Sequence, residues 1–437
     1  MKHARHLLWV FLALTLCLPM LSLAEENQEP PKTLTGSITL AQVLQIVLME
    51  NPELQAFSYE IRAREAQTLQ AGLIVNPRLH VEVENAGGSG KFKSFDQSET
   101  TIQLSQLVEL GNKRGLRKSS ATLSKELAGW DYEVKRLEVL TRVSQSFIQV
   151  LKSQQKVSLT AEGVQLAEKF LNAVSERIKA GKVAAIEEVK AEIALANMKI
   201  EEERAGLELL KARRQLSVFW GETEARFDTA QGDLFAIPET TLPQILELSG
   251  NPRLSKWTTA LAHRQAELEV ETSKSIPDLT LSGGYRRLEE TDDNALVFGV
   301  TIPLQWFDRN QGAIANARHR LSKAQEEKKA EALRMEKALL QAHSEVTYSH
   351  AKVTSIKAKI LPGARKAMNA ISEGYRFGKF GLLDVLDSQK TFYQVQNQYL
   401  DALADYHNTV ADVERLTGVD PSARNKPLDD GKGESRP

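Results

Sequence analysis

One pattern occurs twice in this chain, and it constrains the fold more than any single residue does. Asn51-Pro52-Glu53-Leu54 opens a helical stretch, and Asn76-Pro77-Arg78-Leu79 turns it into an alternating strand. Asn251-Pro252-Arg253-Leu254 and Ile276-Pro277-Asp278-Leu279 do the same again. Within each copy the two prolines lie 25 positions apart, and the copies lie 200 apart. Gly115 matches Gly312 and Gly181 matches Gly378, both at a spacing of 197. Self-similarity at a long fixed period is a statement about architecture. Each copy reads helix, strand, loop, strand, very long helix, turn, long helix, so the chain is an internal duplication.

The start of the chain carries an address. Lys2, His3, Arg5 and His6 form a basic head, Leu7 to Leu18 an apolar run, and Ser22-Leu23-Ala24 a small-residue cleavage site. The run is shorter than the roughly 20 residues of a permanent membrane helix. Cleavage after Ala24 is expected. It would remove Cys17, the only cysteine, whose preceding Leu14-Thr15-Leu16 lacks the small residue expected before a lipidated cysteine. A net charge of −1 gives no argument for nucleic acid as a partner. The expected layout is a signal peptide at 1–24, a flexible leader at 25–38 and a first repeat at 39–222. A connector at 223–250, a second repeat at 251–418 and a disordered tail at 419–437 complete it.

Past Pro77 the hydrophobic period changes from 3.6 to 2. Leu79, Val81 and Val83 alternate with His80, Glu82 and Glu84, and Ile102 and Leu104 with Gln103 and Ser105. The second copy repeats this with Leu279, Leu281 and Tyr285, then with Leu296, Phe298, Val300, Ile302 and Leu304. Strands are expected near 78–85, 100–108, 278–286 and 295–304, each of a length that suits a tilted transmembrane strand. Everything else reads as helix, leaving no second sheet to cover these four. After Gly115, Leu123, Leu127, Trp130, Val134, Leu137, Thr141, Ser144, Ile148 and Leu151 step by fours and threes. That 3.5-residue repeat implies coiled-coil packing. The helix continues to Ala180, on the order of 100 Å, turns at Gly181 and returns from Ile186 to Trp220. The second copy runs from Ala313 to Phe377, turns at Gly378 and returns from Leu382 to Leu416.

These residues resemble the TolC-type outer-membrane channels of tripartite efflux and secretion systems, over nearly the whole mature chain. The resemblance rests on the duplicated Asn-Pro entries, the two long hairpins, and Tyr375-Arg376-Phe377-Gly378 followed by Leu382-Leu383-Asp384-Val385-Leu386-Asp387. Val108 to Arg114, Ile302-Pro303-Leu304 and Phe307 to Gly312 look more like the heavy-metal, cobalt–zinc–cadmium (CzcC-type) branch. The implied fold is mainly α with a small transmembrane β part. Three protomers would supply a twelve-stranded barrel, since four strands cannot close one, continued by a periplasmic α-helical barrel. The implied partners are two further copies in a homotrimer, outer-membrane lipid, a periplasmic adaptor and an inner-membrane RND-type pump. The implied role is a passive conduit for heavy-metal cations. Multidrug export, type I secretion and, in another class, a periplasmic adaptor remain alternatives. An adaptor would carry one hairpin rather than two. No Ser/His/Asp grouping, metal motif or phosphate loop supports an enzyme, a cofactor or a bound metal.

Candidate residues fall in three places. Gly111 and Arg114, with Asp308 and Asn310, mark the strand-to-helix junctions, where Gly111 permits a bend and Asp308 or Asn310 suits a helix N-cap. Gly181 and Gly378 mark the hairpin turns, the expected adaptor contact. Asp384 and Asp387 lie three apart on one face just past Gly378. The helix dipole alone could account for Asp384, whereas the resemblance places both, with Tyr375, at the periplasmic aperture. The multidrug prototype carries an arginine where this chain has Phe380, so its closing salt bridge has no copy here. Contacts of Tyr375 and Arg376 are the expected substitute. His343 and His350, seven apart, are too widely spaced for a helical metal pair.

Overall fold

The computed structural model describes residues 34–237 and 251–419. The signal segment, Cys17, most of the leader and residues 238–250 and 420–437 lie outside them. Strand β1 (Gly36–Thr39) leads into helices α1 (Leu40–Glu50) and α2 (Pro52–Ala71), then strands β2 (Arg78–Glu84) and β3 (Glu99–Val108). Helices α3 (Lys113–Lys179) and α4 (Ile186–Ser217) make the first hairpin, and β4 (Phe227–Gln231) follows. The second repeat is α5 (Pro252–Ser273), β5 (Leu279–Leu288), β6 (Asp293–Thr301), α6 (Gln311–Ser355), α7 (Leu361–Arg376) and α8 (Leu382–Thr417). Among the described residues no helix is long and apolar enough to cross a membrane.

Helix starts follow local chemistry. Thr39 and Gln42 form a reciprocal capping box at α1. Asn51 accepts from the Leu54 N–H at 3.1 Å and Asn251 from the Arg253 N–H at 2.7 Å. Each is followed by a proline in the first turn, where a missing N–H does no harm.

The four expected strands form one antiparallel sheet in the order β2-β3-β5-β6, with the two repeats joined along β3 and β5 from Glu99↔Leu288 to Val108↔Leu279. Register sorts the side chains cleanly. Leu79, Leu104, Gly283 and Phe298 form one row and Val81, Ile102, Tyr285 and Leu296 the next, all on one face. That face is bare: Leu296 is 72% and Phe298 79% exposed. The other face carries His80, Gln103, Glu82, Thr101 and Arg286, with Arg286 bonded to Glu99 at 3.0 Å and to Thr101 at 2.9 Å. Apolar outside and hydrogen-bonded polar inside is the inverse of a water-soluble sheet, and it suits lipid on one side and an aqueous lumen on the other. Ten residues at about 3.3 Å each reach across a hydrocarbon core when tilted. Phe92, Phe95, Trp306 and Phe307 lie exposed beyond the strand ends, where amphipathic and aromatic rings favour the membrane–water boundary.

The main core lies where α1, α3 and α8 meet the β1–β4 pair. Val43, Val47, Val139, Leu140, Val143, Val150 and Leu403 are wholly buried there, together with Ile38 and Phe227. Each such side chain contributes roughly 1.5–3 kcal/mol relative to exposure. Gln154 from α3 extends the pair, accepting from the Ala230 N–H at 2.8 Å and donating to its carbonyl at 3.1 Å.

The structure departs from the sequence expectations in four respects. A second small sheet exists: β1, inside the expected leader, pairs in parallel with β4, inside the expected connector. β6 ends at Thr301, not Leu304, because Pro303 has no N–H for a ladder. The return helix of the first hairpin stops at Ser217 and tightens into a 3-10 turn at Val218–Trp220. The long second-repeat helix is interrupted by a widened π-helical turn at Ile356–Ile360.

Candidate functional site

The long helices separate the candidate residues into two groups. At the sheet end, Gly111 has φ +68°, and a Cβ there would come 2.7 Å from Ile276 Cδ1, so glycine spares this bend both left-handed strain and a shift of that side chain. Asn112 is also left-handed, and Lys113 then turns inward, its Nζ donating to the Ile276 carbonyl and to Asp278, both at 2.6 Å. The Leu110 N–H reaches the same Asp278 oxygen at 3.0 Å. Arg114 Nε donates to the Gly72 carbonyl at 2.7 Å, and Arg117 grips Glu109 with two nitrogens.

In the second repeat Asn310 takes the same left-handed conformation, φ +61°. It occupies the N-cap position of α6, but neither it nor Asp308 caps the helix through its side chain, contrary to the sequence expectation. Asp308 accepts from the Asn310 N–H at 2.9 Å, and Asn310 Nδ2 is drawn away to the Glu271 carbonyl at 2.8 Å and carboxylate at 2.9 Å. The first junction fastens α3 to the end of α2 through Gly72 and, across the repeats, to the Ile276–Asp278 segment after α5; the second fastens α6 to α5 through Glu271. Their polar groups are spent on backbone and on one another.

About 100 Å away along α3, the two hairpin ends come together. Gly181 (φ +68°) and Gly378 (φ +74°) each close a helix with the same pair of bonds. Gly181 N–H donates to Ile178 and Lys182 N–H to Arg177; Gly378 N–H donates to Tyr375 and Lys379 N–H to Gly374. This double bond pattern needs a left-handed residue, which is why glycine recurs at the 197 spacing. It also places Tyr375 at the point where the second hairpin faces the first.

Tyr375 is only 2% exposed and packs in a cluster with Phe170, Val174, Ala191, Leu382 and Val385. Its hydroxyl donates to Glu187 at 2.9 Å, and the Arg177 guanidinium lies 4.4 Å over its ring while donating to its carbonyl. Phe170 meets the ring at 5.4 Å. Burial, and then the hydrogen bond to the Glu187 carboxylate, push the Tyr375 hydroxyl up to about 12. The phenol therefore stays a neutral donor across physiological pH. The cation beside Tyr375 is Arg177 of the other hairpin; Arg376 is exposed to solvent. Phe380 lies over Gly374, where any larger residue would collide with its ring.

Asp384 and Asp387 are both exposed at this end. Asp384 accepts from the Gly381 N–H at 2.8 Å, tying its carboxylate to the start of its own helix. Arg177 and Glu187 were not singled out from sequence. Their positions four residues before and six after Gly181 were the available signal, and a charged residue beside a turn reads first as solvated surface. Among the described residues no group of three or more His, Cys, Asp or Glu is placed to hold a metal ion.

Comparison with known proteins agrees with this architecture. Residues 43–222 and 245–419 separately match the outer membrane efflux protein family, one match per repeat. The chain is 35% identical over 390 residues to the cobalt-zinc-cadmium resistance protein CzcC of Cupriavidus metallidurans, spanning 89% of this chain and 92% of that one. It is 26% identical over 300 residues to the nickel-cobalt-cadmium resistance protein NccC of Alcaligenes xylosoxydans xylosoxydans, spanning 67% and 68%. The crystal structure of CusC superimposes with a TM-score of 0.73 over 90% of this chain and 95% of that one, at 14% identity. Duplicated hairpins, a sheet with an apolar outer face and matches along both repeats place the chain in the outer membrane efflux protein family, as an outer-membrane efflux channel with a long periplasmic helical extension.

Proposed function

We propose that three copies of this chain form a passive conduit for heavy-metal divalent cations, fed by a periplasmic adaptor and an inner-membrane RND-type pump. The observation that carries the cargo is the similarity to CzcC, a cobalt-zinc-cadmium resistance protein, along nine-tenths of both chains. The trimer is supported by the sheet. β2 and β6 each leave an edge unpaired within one chain, and unpaired edges are not tolerated in lipid. Three protomers in a ring satisfy every edge with twelve strands.

In this reading the hairpin ends form the periplasmic aperture. Asp384 and Asp387 supply six carboxylates around the axis, which favour cations, and Tyr375 holds the two hairpins of each protomer together. Gly181 and Gly378 fix the turns that an adaptor would meet. The junctions at Gly111, Arg114, Asp308 and Asn310 are structural staples. The chain contributes no chemistry to its cargo; the pump selects and drives, and the channel conducts.

The test is cellular. Deleting the gene should raise sensitivity to cobalt, zinc and cadmium about equally and raise accumulated metal, with plasmid copies restoring both. Unchanged metal tolerance together with new sensitivity to organic drugs would replace the metal cargo by an organic one.

A further inference from the structure

The two repeats meet inside one chain through a joint whose counterpart at the outer edges is left open. In the closed joint the segment entering β5 docks on the junction between β3 and α3. Asp278 accepts there from the Leu110 N–H at 3.0 Å and from Lys113 Nζ at 2.6 Å, while Ile276 lies against Gly111. The ion pair is partly shielded from water, its side chains 10% and 24% exposed.

The corresponding pieces sit on opposite edges of the β2-β3-β5-β6 sheet, at the end where the long helices begin. The segment entering β2 leaves Leu73, Ile74 and Leu79 half or more exposed, and the junction between β6 and α6 leaves Leu304, Trp306 and Phe307 barer still. Charge is exchanged between the two sets. The 200-residue spacing puts Arg78 where the second repeat has Asp278, and the 197-residue spacing puts Asp308 where the first has Gly111, beside Leu110. The acid has moved from the entering segment to the junction, and the base from the junction to the entering segment. Arg78 is exposed, and no hydrogen bond or ion pair among the described residues uses its guanidinium. Asp308 is exposed too, with one oxygen on the Asn310 N–H. Its basic neighbour Arg309 is turned back onto the Gln305 carbonyl at 3.2 Å.

We propose that Arg78 of one copy pairs with Asp308 of the next and latches each joint between chains; the latch rests on the trimeric ring proposed above. Within one copy the two residues are separated by three strand spacings, about 14 Å, so neither satisfies the other. Two unlike surfaces of this kind close a ring when the rotation between copies allows it. The apolar side chains on the two edges are covered in the same step. Reversed polarity also keeps the repeats alternating around the ring. A Lys113 junction set against Arg78, or an Asp308 junction set against Asp278, would face like charge, which association penalises heavily.

The experiment measures the fraction of purified full-length channel that remains trimeric after heating at fixed protein and detergent concentration. Arg78→Asp and Asp308→Arg each place three like-charge pairs in the ring and should lower that fraction at least about tenfold. Arg78→Asp combined with Asp308→Arg should recover most of it, which only contact between copies can do. A milder cycle uses Arg78→Gln and Asp308→Asn, the second keeping an acceptor for the Asn310 N–H. Each should lower the fraction, and the two together no further than one alone. Should Asp308→Arg fail to assemble, this cycle decides. Single variants at the wild-type level, an assembled swap without rescue, or losses that add in the cycle overturn the latch and leave the trimer standing. A wild-type channel that is not trimeric overturns the ring itself.

Discussion

Asn51 and Asn251, 200 residues apart, each cap the helix that follows and reach through Nδ2 to the far end of their own repeat. Asn51 donates to the Phe219 carbonyl at 2.7 Å and Asn251 to the Leu416 carbonyl at 2.7 Å. Both are 3% exposed. One side chain thus starts each repeat and closes it, satisfying an orphan N–H and an orphan C=O with a single amide. Each repeat is fastened on itself before the two meet along β3 and β5.

Asn51→Ala and Asn251→Ala should therefore each destabilise the protein by about 2 kcal/mol. Loss of the cap costs about 1 kcal/mol, and loss of the buried hydrogen bond about as much again. Thr39→Ala, at a cap whose bonds are exposed, should cost about half that. Denaturant titration of the three variants, followed by helix signal, gives the comparison. Equal costs at Thr39 and Asn51 would show that the reach to Phe219 adds nothing.

Tyr375 predicts a pH dependence. Its hydroxyl is pushed up to about 12, first by burial and then by the Glu187 bond, from an ordinary value of 10.0. A raised value means that the folded state prefers the neutral phenol. The stabilisation is fully present below pH 10 and is lost as pH rises from 10 through 12, to a limit of about 3 kcal/mol. Ultraviolet titration of wild type against Tyr375→Phe should isolate one phenol ionising near 12. A difference curve centred at 10 would mean that Tyr375 is solvated and the hairpins are not joined there.

Legibility followed the range of the interactions. The four membrane strands, the two Asn-Pro helix starts and the two glycine turns were readable because each is set by a few neighbouring residues. Pro303 was also in plain view, yet the alternation of Ile302 and Leu304 outweighed it in the reading. The β1–β4 pair was not legible: Gly36–Thr39 and Phe227–Gln231 are short, and they pair across nearly 200 residues on the strength of a core built by α3 and α8. The π turn was signalled only by Pro362, which more often ends a helix than widens one. At the hairpin ends Tyr375 and Asp384 could be named. Arg177 and Glu187 could not, because what makes them matter is a neighbour on the other hairpin.

Topology gives a further test. Gln97 donates to Glu290 at 3.0 Å, so the loops at residues 85–98 and 289–292 lie side by side at the sheet end opposite the long helices. That end should face the outside of the cell. Cysteines placed singly at Ser89 and Asp293 should react with an impermeant maleimide on intact cells. Reaction only after the outer membrane is opened would invert the assignment.

The aperture carboxylates call for a finer substitution than alanine. Asp384 holds the Gly381 N–H at 2.8 Å, so Asp384→Ala removes a charge and a cap together, and about 1 kcal/mol of the effect would be helix stability. Asp384→Asn keeps an acceptor for that N–H and removes only the charge. Asp387, exposed one turn further along α8, can be neutralised in the same way. If both line the aperture, threefold symmetry sets six like charges around one axis, an arrangement that a multivalent cation relieves. Purified channels in planar bilayers should then be cation-selective and blocked by divalent or trivalent ions added from the periplasmic side. The double variant Asp384→Asn with Asp387→Asn should lose selectivity and weaken the block by at least about tenfold, equivalent to about 1.4 kcal/mol. Asp387→Asn alone should produce part of that change with no loss of stability. Selectivity and block at wild-type levels in the double variant would leave Asp384 as the cap of α8 and Asp387 as solvated surface.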